Sequence, residues 1–387
     1  MAGEALIGVY RRYPVAFVRG EGVHLWDDQG KHYWDFLAGI GASSLGHHHP
    51  RIRAALTESA SLLHTSNLYR IGPQEALADR LSALSGGMQA FFANSGAEAN
   101  EAAIKLARRW GRERGRTTIV SFHHGFHGRT LGALAATGEA AYREPFEPLP
   151  AGFRQVPYDD LAALREVLAE EPVAAVLVEV IQGEAGVVVP RPGFLPAVAE
   201  ATRAAGALLI IDEVQTGMGR TGYWFGWQHE GVVPDVMTLA KGLGGGVPIG
   251  AMLARPEVAE ALRPGDHGST FGGNFLATRV GLAVVDWLQT EGLDHVRAVA
   301  PKLEATLTGL ARRHPERVEG VRGRGLMWGL VLNRPSAPYA ARALEEGLVI
   351  NAAGGRVLRL LPPLVVDVEA IGAMGEILDR VLAQDLL

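Results

Sequence analysis

The sequence predicts an α/β fold: an open, mostly parallel sheet covered by helices on both faces, joined to a smaller α+β unit. Runs rich in apolar and β-branched residues, TTIVSF (117–122), VAAVLVEVI (173–181) and GALLIIDEV (206–214), read as strands buried on both faces. Segments of helical periodicity lie between them, which is the alternation a parallel sheet requires. After about residue 275 the texture changes to long helical patterns followed by short strands. At roughly 150 residues per domain, a chain of 387 residues has room for two to three domains. The expected division is an N-terminal segment (1–45), a large α/β domain (46–275) and a C-terminal α+β domain (276–387).

Each element follows from local pattern. In the first segment VHLWDDQGKHYWDFL (23–37) alternates like a hairpin with its turn at Asp28, Gln29 and Gly30, and is expected to pack with the C-terminal domain. In 97–110, Ala99, Ala103, Leu106 and Trp110 form one apolar stripe, Glu101 and Lys105 are spaced to pair on the exposed side, and Gly111 and Gly115 are expected to end the helix. DLAALREVLAE (160–170) and PAVAEATRAAG (196–206) are helical in the same way, the second closing on a glycine. Beyond 275, TRVGLAVVDWLQ and KLEATLTGLARR read as helices, and GLMWGLVL, GLVIN and VLRLLPPLVV as strands.

Composition excludes several classes. Lys+Arg 37 against Asp+Glu 42 gives a net charge of −5, which does not suit nucleic acid or an anionic membrane. Cys is absent, so disulfides, thiolate nucleophiles and cysteine metal sites are out. The start, MAGEALIGVYRRYP, lacks an apolar core of signal-peptide length, and no stretch approaches the ~20 apolar residues of a membrane span. A cytoplasmic location is the expectation. The His47-His48-His49 run and the His123, His124, His127 group lack carboxylates at ligand spacing, so loop histidines are expected and no metal site.

The 49 glycines matter by position. Ligands of α/β sheets bind where strands end and helices begin, and NSGAEAN (94–100), GEAG (183–186), GMGRTG (217–222) and KGLGGG (241–246) qualify. GMGRTG has the spacing of a dinucleotide fingerprint, but DEVQT separates it from its strand and RTGYWFG is a poor helix start, so a nicotinamide dehydrogenase is disfavoured. KGLGGG carries its lysine before the glycines, the reverse of a P-loop. NSGAEAN joins the strand QAFFA to the helix above, where free amides, the Ser95 hydroxyl and the helix dipole suit one phosphate. Taken alone, Ser95 is equally an ordinary N-cap with Glu98 as its capping-box partner.

Asp212 ends the strand ALLII, Gln215 follows it, and Lys241 ends the strand VMTLA. Singly these are a capping acid, a solvated amide and a surface lysine. Together, a lysine between an apolar strand and glycines, an acid at a neighbouring strand end and a one-phosphate site match the needs of pyridoxal phosphate. A carboxylate ~4 Å from a pyridinium at an effective dielectric of ~20 gains ~4 kcal/mol, about three pK units, enough to keep the ring nitrogen protonated.

NSGAEAN, FHGRT (126–130), EVIQGEAG (179–186), DEVQ (212–215) with GMGRTG, TLAKGLGGG (238–246) and GSTFGGN (268–274) resemble class III (ornithine-type) aminotransferases of PLP fold type I. The likeness runs in order from about Val15 to the C-terminus, and GRTG belongs to it. The resemblance implies that Lys241 carries the cofactor as a Schiff base, Asp212 partners the pyridinium, Gln215 bonds the ring hydroxyl and Phe126 stacks on the ring. Ser95, Gly96 and Ala97 would hold the phosphate, Thr270 would complete that site from a neighbouring subunit, which implies a homodimer, and Ser269 and His127 would face the substrate. Glu179 resembles a carboxylate behind the cofactor. Arg129 would bind the donor's carboxylate and Arg359 that of glutamate or 2-oxoglutarate, with Glu184 covering Arg359 when the donor has no carboxylate there. Without the resemblance, Phe126 is core, Glu184 a solvated loop acid, Arg129 a surface residue and Arg359 an edge-strand charge, although its apolar run favours a buried, paired one. Val180 and Phe275 stand where the family often has proline, Ala97 where many members have threonine, and His127 at a position that varies with substrate.

FRQVPYDDLAAL (153–164) and GLVINAAGGRVLRLLPPL (347–364) are most similar to members acting on N-acetylornithine in arginine biosynthesis. The implied reaction is reversible ω-transamination of N-acetylornithine with 2-oxoglutarate, giving N-acetylglutamate 5-semialdehyde and glutamate, ping-pong through a pyridoxamine form. Alternatives are a lysine-pathway relative acting on acetylated or carrier-linked lysine, which YREPFEPLP (142–150) would equally suit, and ornithine, 4-aminobutyrate or succinylornithine transaminases. A dehydrogenase or a non-catalytic metal-binding protein is the reading from another class.

Overall fold

The structure is a computed structural model that describes residues 5–386, so the first four residues of the expected N-terminal segment lie outside it. Strands β1 (Phe17–Glu21), β2 (His24–Asp27) and β3 (His32–Asp35) form an antiparallel meander. Its second turn falls at Asp28 to Gly30, where Gly30 has φ +81° and the Asp27 carboxylate accepts from Gln29 N, Lys31 N and Tyr33 Oη. Short polar side chains that bond the backbone ahead of them favour such turns.

The main sheet holds β4 (Gln89–Ala93), β5 (Thr118–Phe122), β6 (Phe153–Val156), β7 (Val173–Glu179), β8 (Leu208–Asp212), β9 (Val236–Leu239) and β10 (Gly250–Ala254), in the order β4-β10-β9-β8-β7-β5-β6. Every residue of β7 and β8 is buried, as their unbroken apolar runs require. From β9 to β6 all pairings are parallel, whereas β10 runs antiparallel to both neighbours. The ten residues 240–249 between β9 and β10 contain no α-helix, too short a path for a parallel crossover.

The expected helix at 97–110 is Gly96–Arg112, and Gly111 lies inside it rather than ending it. A Cβ at Gly111 would sit 2.3 Å from Arg116 O and 2.9 Å from Ala174 Cβ, so this glycine lets the helix approach β7; the chain turns at Gly115, φ +68°. Glu101 and Lys105 do not pair. Glu101 accepts from Gly132 N and Ala133 N, and Lys105 Nζ bonds Asp266 O and His267 Nδ1. The other two helices form as Leu161–Glu170, capped by Asp160, and Phe194–Ala204, with Gly206 at φ +65°.

Beyond the main sheet come the helices Phe275–Trp287 and Leu293–Arg313, then β11 (Val318–Arg324), β12 (Met327–Leu332), β13 (Leu348–Val349), β14 (Asn351–Ala353) and β15 (Val357–Leu360). Four of these strands make an antiparallel sheet, β11-β12-β15-β14, against which the helices Leu293–Arg313 and Ala337–Glu345 pack, while β13 pairs in parallel with β3. GMGRTG opens no helix. Its Arg220 is buried and its Nη1 donates to Leu326 O and Pro362 O, tying this loop to the C-terminal sheet. Among the described residues no helix is long and apolar enough to cross a membrane.

Candidate active site

The parallel register sets Glu179 of β7 opposite Asp212 of β8, and Asp212 opposite Thr238 of β9. Three strand ends therefore deliver their polar residues to one place beside the N-terminal turn of the helix Gly96–Arg112. Asn100 of that helix knits them together: Nδ2 donates to Asp212 Oδ2 (2.8 Å) and His127 O (2.7 Å), and Oδ1 accepts from Thr238 Oγ1 (2.8 Å). Sequence reasoning missed Asn100 and Thr238. The available signal was an asparagine whose i+3, i+4 and i+7 neighbours, Ala103, Ile104 and Ala107, are apolar.

A cavity of about 430 Å³ opens on this cluster, lined by Ser95, Gly96, Ala97, Phe126, His127, Arg129, Glu179, Asp212, Gln215 and Lys241. Ten of the residues expected at the site thus share one wall. Ser95 caps its helix, Oγ accepting from Glu98 N, while Glu98 reaches back to Asn94 N. The N-cap reading of NSGAEAN is seen directly, and it leaves the amides of Gly96 and Ala97 without a partner among the described residues. Gly96 packs tightly; a Cβ there would lie 2.9 Å from Val214 Cγ1. Lys241 leaves β9 with φ +38°, and burial of its amine, opposed by the charge of Glu184 and reinforced by that of Arg359, lowers its pKa.

Asp212 is buried and accepts from Asn100 Nδ2 and His127 Nδ1 at Oδ2 and from Val214 N at Oδ1. His127 departs from expectation: the resemblance set it among substrate-facing groups, but its ring is buried with Nδ1 2.8 Å from Asp212 Oδ2. Burial pushes the imidazole pKa down, and the bond and charge of Asp212 with the charge of Glu179 more than reverse this, leaving it raised. Next to it, Phe126 N and Gly183 N donate to the Glu179 carboxylate. Burial, partly offset by His127, raises the Glu179 carboxyl from 4.5 to about 7.

Arg359 is fully buried and does not line the lysine cavity. Its Nη1 donates to Glu184 Oε1 (2.6 Å), Gly183 O (3.2 Å) and Gln215 Oε1 (3.3 Å), and Nε to Asn351 Oδ1, while Nη2 has no partner among the described residues. Glu184 lies in the wall of a second, larger crevice of about 860 Å³, which shares Phe126 with the first. Burial alone would raise the Glu184 pKa, but Arg359 holds it down. Gly183 is required here, since a Cβ would fall 2.2 Å from Gln215 Oε1. Arg129 is exposed and stacks on Tyr142.

Ser269 and Thr270 are not brought into the lysine cavity of their own chain. They line a separate recess with Asn94 and Glu98, and Ser269 Oγ accepts from Asn94 Nδ2 at 3.2 Å. The histidine runs serve locally: His47 Nε2 bonds Asp35 Oδ2, His49 caps the helix Pro50–Ser59, and His124 faces Glu139.

This donor set fits pyridoxal phosphate. Two free amides at a helix N-terminus suit a phosphate, a partly desolvated amine suits imine formation, and a buried carboxylate oriented by hydrogen bonds suits a protonated ring nitrogen. The sequence matches the Aminotransferase class-III family over residues 9–382. It is 51% identical over 387 residues to acetylornithine aminotransferase 1 of Bordetella pertussis, covering 99% of this chain and 98% of that one. The ornithine aminotransferase structure of Toxoplasma gondii described with partial occupancy of PLP at the active site aligns with a TM-score of 0.92 at 34% identity, over 98% of this chain and 92% of that one. The acetylornithine aminotransferase structure of Elizabethkingia anophelis aligns with a TM-score of 0.87 at 36% identity, over 98% and 96%. A likeness this continuous over nearly the whole of both chains has one meaning: the chain belongs to the class-III aminotransferases, a family of pyridoxal-phosphate-dependent enzymes.

Proposed function

We propose that this enzyme moves the δ-amino group of N-acetylornithine to 2-oxoglutarate, forming N-acetylglutamate 5-semialdehyde and glutamate in alternating half-reactions, as a step of arginine biosynthesis in the cytoplasm. The observation that carries the reading is the buried Arg359, paired at 2.6 Å with Glu184 of the larger crevice and bonded at 3.3 Å to Gln215 of the lysine cavity. A donor presenting only an amine and a methylene chain at that end leaves the pair closed. A 2-oxo acid presents a carboxylate there, and displacement of Glu184 frees Arg359 to bind it without leaving a buried charge unpaired. The likeness to the Bordetella chain supports N-acetylornithine as the donor.

Bound pyridoxal phosphate supplies the carbonyl that takes up the amino group and the ring that accepts electrons from the substrate carbon. Gly96 and Ala97 amides with Ser95 would hold its phosphate, Phe126 would lie against its ring, and Gln215 would bond its hydroxyl. Asp212 holds a proton at the ring nitrogen, oriented by Asn100 and His127. Glu179 fixes the Phe126 and Gly183 turns behind the ring. The lowered pKa of Lys241 lets its amine accept a proton from the substrate carbon and return it on the other side of the transfer. Arg129 takes the donor's carboxylate. Thr270, outside its own chain's cavity, completes the phosphate site of a second copy, with Ser269 holding its loop, and the enzyme acts as a homodimer. The chain is divided into a segment 1–45, a cofactor domain 46–275 and a small domain 276–387, the first and last joined through β3 and β13.

The donor panel tests this. Steady-state kinetics with N-acetylornithine, ornithine, 4-aminobutyrate and acetyl-lysine should give N-acetylornithine a kcat/KM at least about 10-fold above the others. A higher value with acetyl-lysine would reassign the donor.

A further inference from the structure

Arg129 presents an unusual guanidinium. It is exposed at the rim of the lysine cavity, and among the described residues it has no carboxylate partner and makes no hydrogen bond. Most arginines around it are engaged: Arg143 bonds Gln155, Arg322 bonds Gly186 O, and Arg359 is paired. What holds Arg129 is aromatic. Its Cζ lies 3.8 Å above the Tyr142 ring and 5.5 Å from the Phe126 ring, and the two rings meet edge to face at 6.2 Å. Stacking fixes the plane of a guanidinium without using its N–H groups, so the in-plane donor fork stays free for a carboxylate.

The position is equally specific. Arg129 lines the 430 Å³ cavity, Tyr142 lines the 860 Å³ crevice, and Phe126 lines both. Tyr142 sits on the four-residue helix Ala140–Arg143, which has no buried residue. Its ring touches the site by lying under the Arg129 guanidinium and edge to face with Phe126.

We propose that Tyr142 is a positioning residue that determines donor specificity: its ring holds the Arg129 fork open at the boundary of the two cavities, selecting ω-amines that carry a carboxylate at the end remote from the reacting amine. This rests on the amino-transfer reading above. Removing the ring lets an exposed, flexible arginine sample many rotamers, so binding of the carboxylate weakens while the chemistry at Lys241 is untouched.

The test uses holoenzyme with Tyr142→Leu and Tyr142→Phe, comparing N-acetylornithine with pentylamine, an ω-amine without a carboxylate; where pentylamine does not turn over, its inhibition constant replaces KM. Tyr142→Leu should raise KM for N-acetylornithine about 10-fold with kcat within about 2-fold, the signature of lost uniform binding. The pentylamine constant should stay within about 2-fold, and Tyr142→Phe should behave as wild type for both. An unchanged KM, an equal rise for both amines, or failure of Tyr142→Phe to restore binding overturns the proposal. If wild type rejects N-acetylornithine but turns over another carboxylated ω-amine, the donor assignment fails alone, and the same comparison on that amine decides the role of Tyr142. Wild-type preference for pentylamine over every carboxylated donor overturns the Tyr142 proposal itself.

Discussion

Arg359 shows how one side chain can be both predicted and only partly understood from sequence. A charge inside VLRLLPPL has to be paired, because an isolated guanidinium in an apolar run is prohibitively desolvated. Its partner, 175 positions away, is visible only in the fold. Arg359→Ala should therefore impair the 2-oxoglutarate half-reaction at least about 10-fold more than the N-acetylornithine half-reaction in single-turnover measurements; impairment confined to the donor half-reaction would remove Arg359 from the acceptor site. Glu179 makes a second residue-level prediction. Its folded pKa of about 7 exceeds the ordinary 4.5, so the native state binds more protons than the unfolded one between these values. The stabilising contribution is full below about pH 4.5 and is lost as pH rises through about 7, and His127, also raised, acts in the same direction. In Glu179→Gln the carboxyl no longer ionises, so the cofactor-free variant should gain stability relative to wild type as pH rises from 5 to 8 in denaturant titrations. A difference that does not change with pH would contradict the raised carboxyl. Asp212 and Lys241 stand out in the sequence because each closes an apolar strand run, and Gln215 because it follows one closely. The His127 orientation was not, since nothing local distinguishes a ring facing substrate from one facing Asp212.

At the scale of elements, most strands and helices follow from periodicity, and the misreadings are instructive. Gly111 looked like a helix terminator, yet it is a close-packing residue, because local preference and tertiary contact favour the same residue for different reasons. β10 runs antiparallel because its connection is short, a property no periodicity records. Gly250 on β10 joins these themes. A Cβ there would lie 2.1 Å from Ser95 O and 2.8 Å from Ser95 C, so the strand can only pass beneath the anion-binding turn as glycine. Gly250→Ala should cost roughly 1–3 kcal/mol in denaturant unfolding. By displacing Ser95 it should also weaken pyridoxal phosphate binding at least about 10-fold in spectral titration, and retention of full affinity would show that the turn does not depend on this contact.

Among the described residues, two neighbouring loops form an apolar surface that a lone chain does not explain. Leu62, Leu63, Leu68, Tyr69 and Phe271 are exposed, Leu68 at 88%. The two loops bearing them are held together by His64 against Phe271 and by Asn67 Nδ2 bonding Ser269 O and Gly272 O. An apolar cluster of this kind marks an interaction surface, and it is continuous with the loop that carries Thr270. Sedimentation should give twice the 41.3 kDa chain mass, and Leu68→Glu should weaken the dimer at least about 10-fold and lower activity with it. A fully active monomer would sink both the dimer and the shared phosphate site. The sequence by itself determined the alternation of strands and helices, the lysine, the acid and the anion-binding turn, because burial periodicity and strand-end chemistry are written in neighbouring residues. Only the tertiary structure decided that Asn100 bridges Asp212 to Thr238, that Glu184 closes on Arg359 and that Tyr142 underlies Arg129. Those contacts join positions separated by 13 to 175 residues, and a hydrogen bond or stacked ring depends on distances that only sheet register and loop packing set.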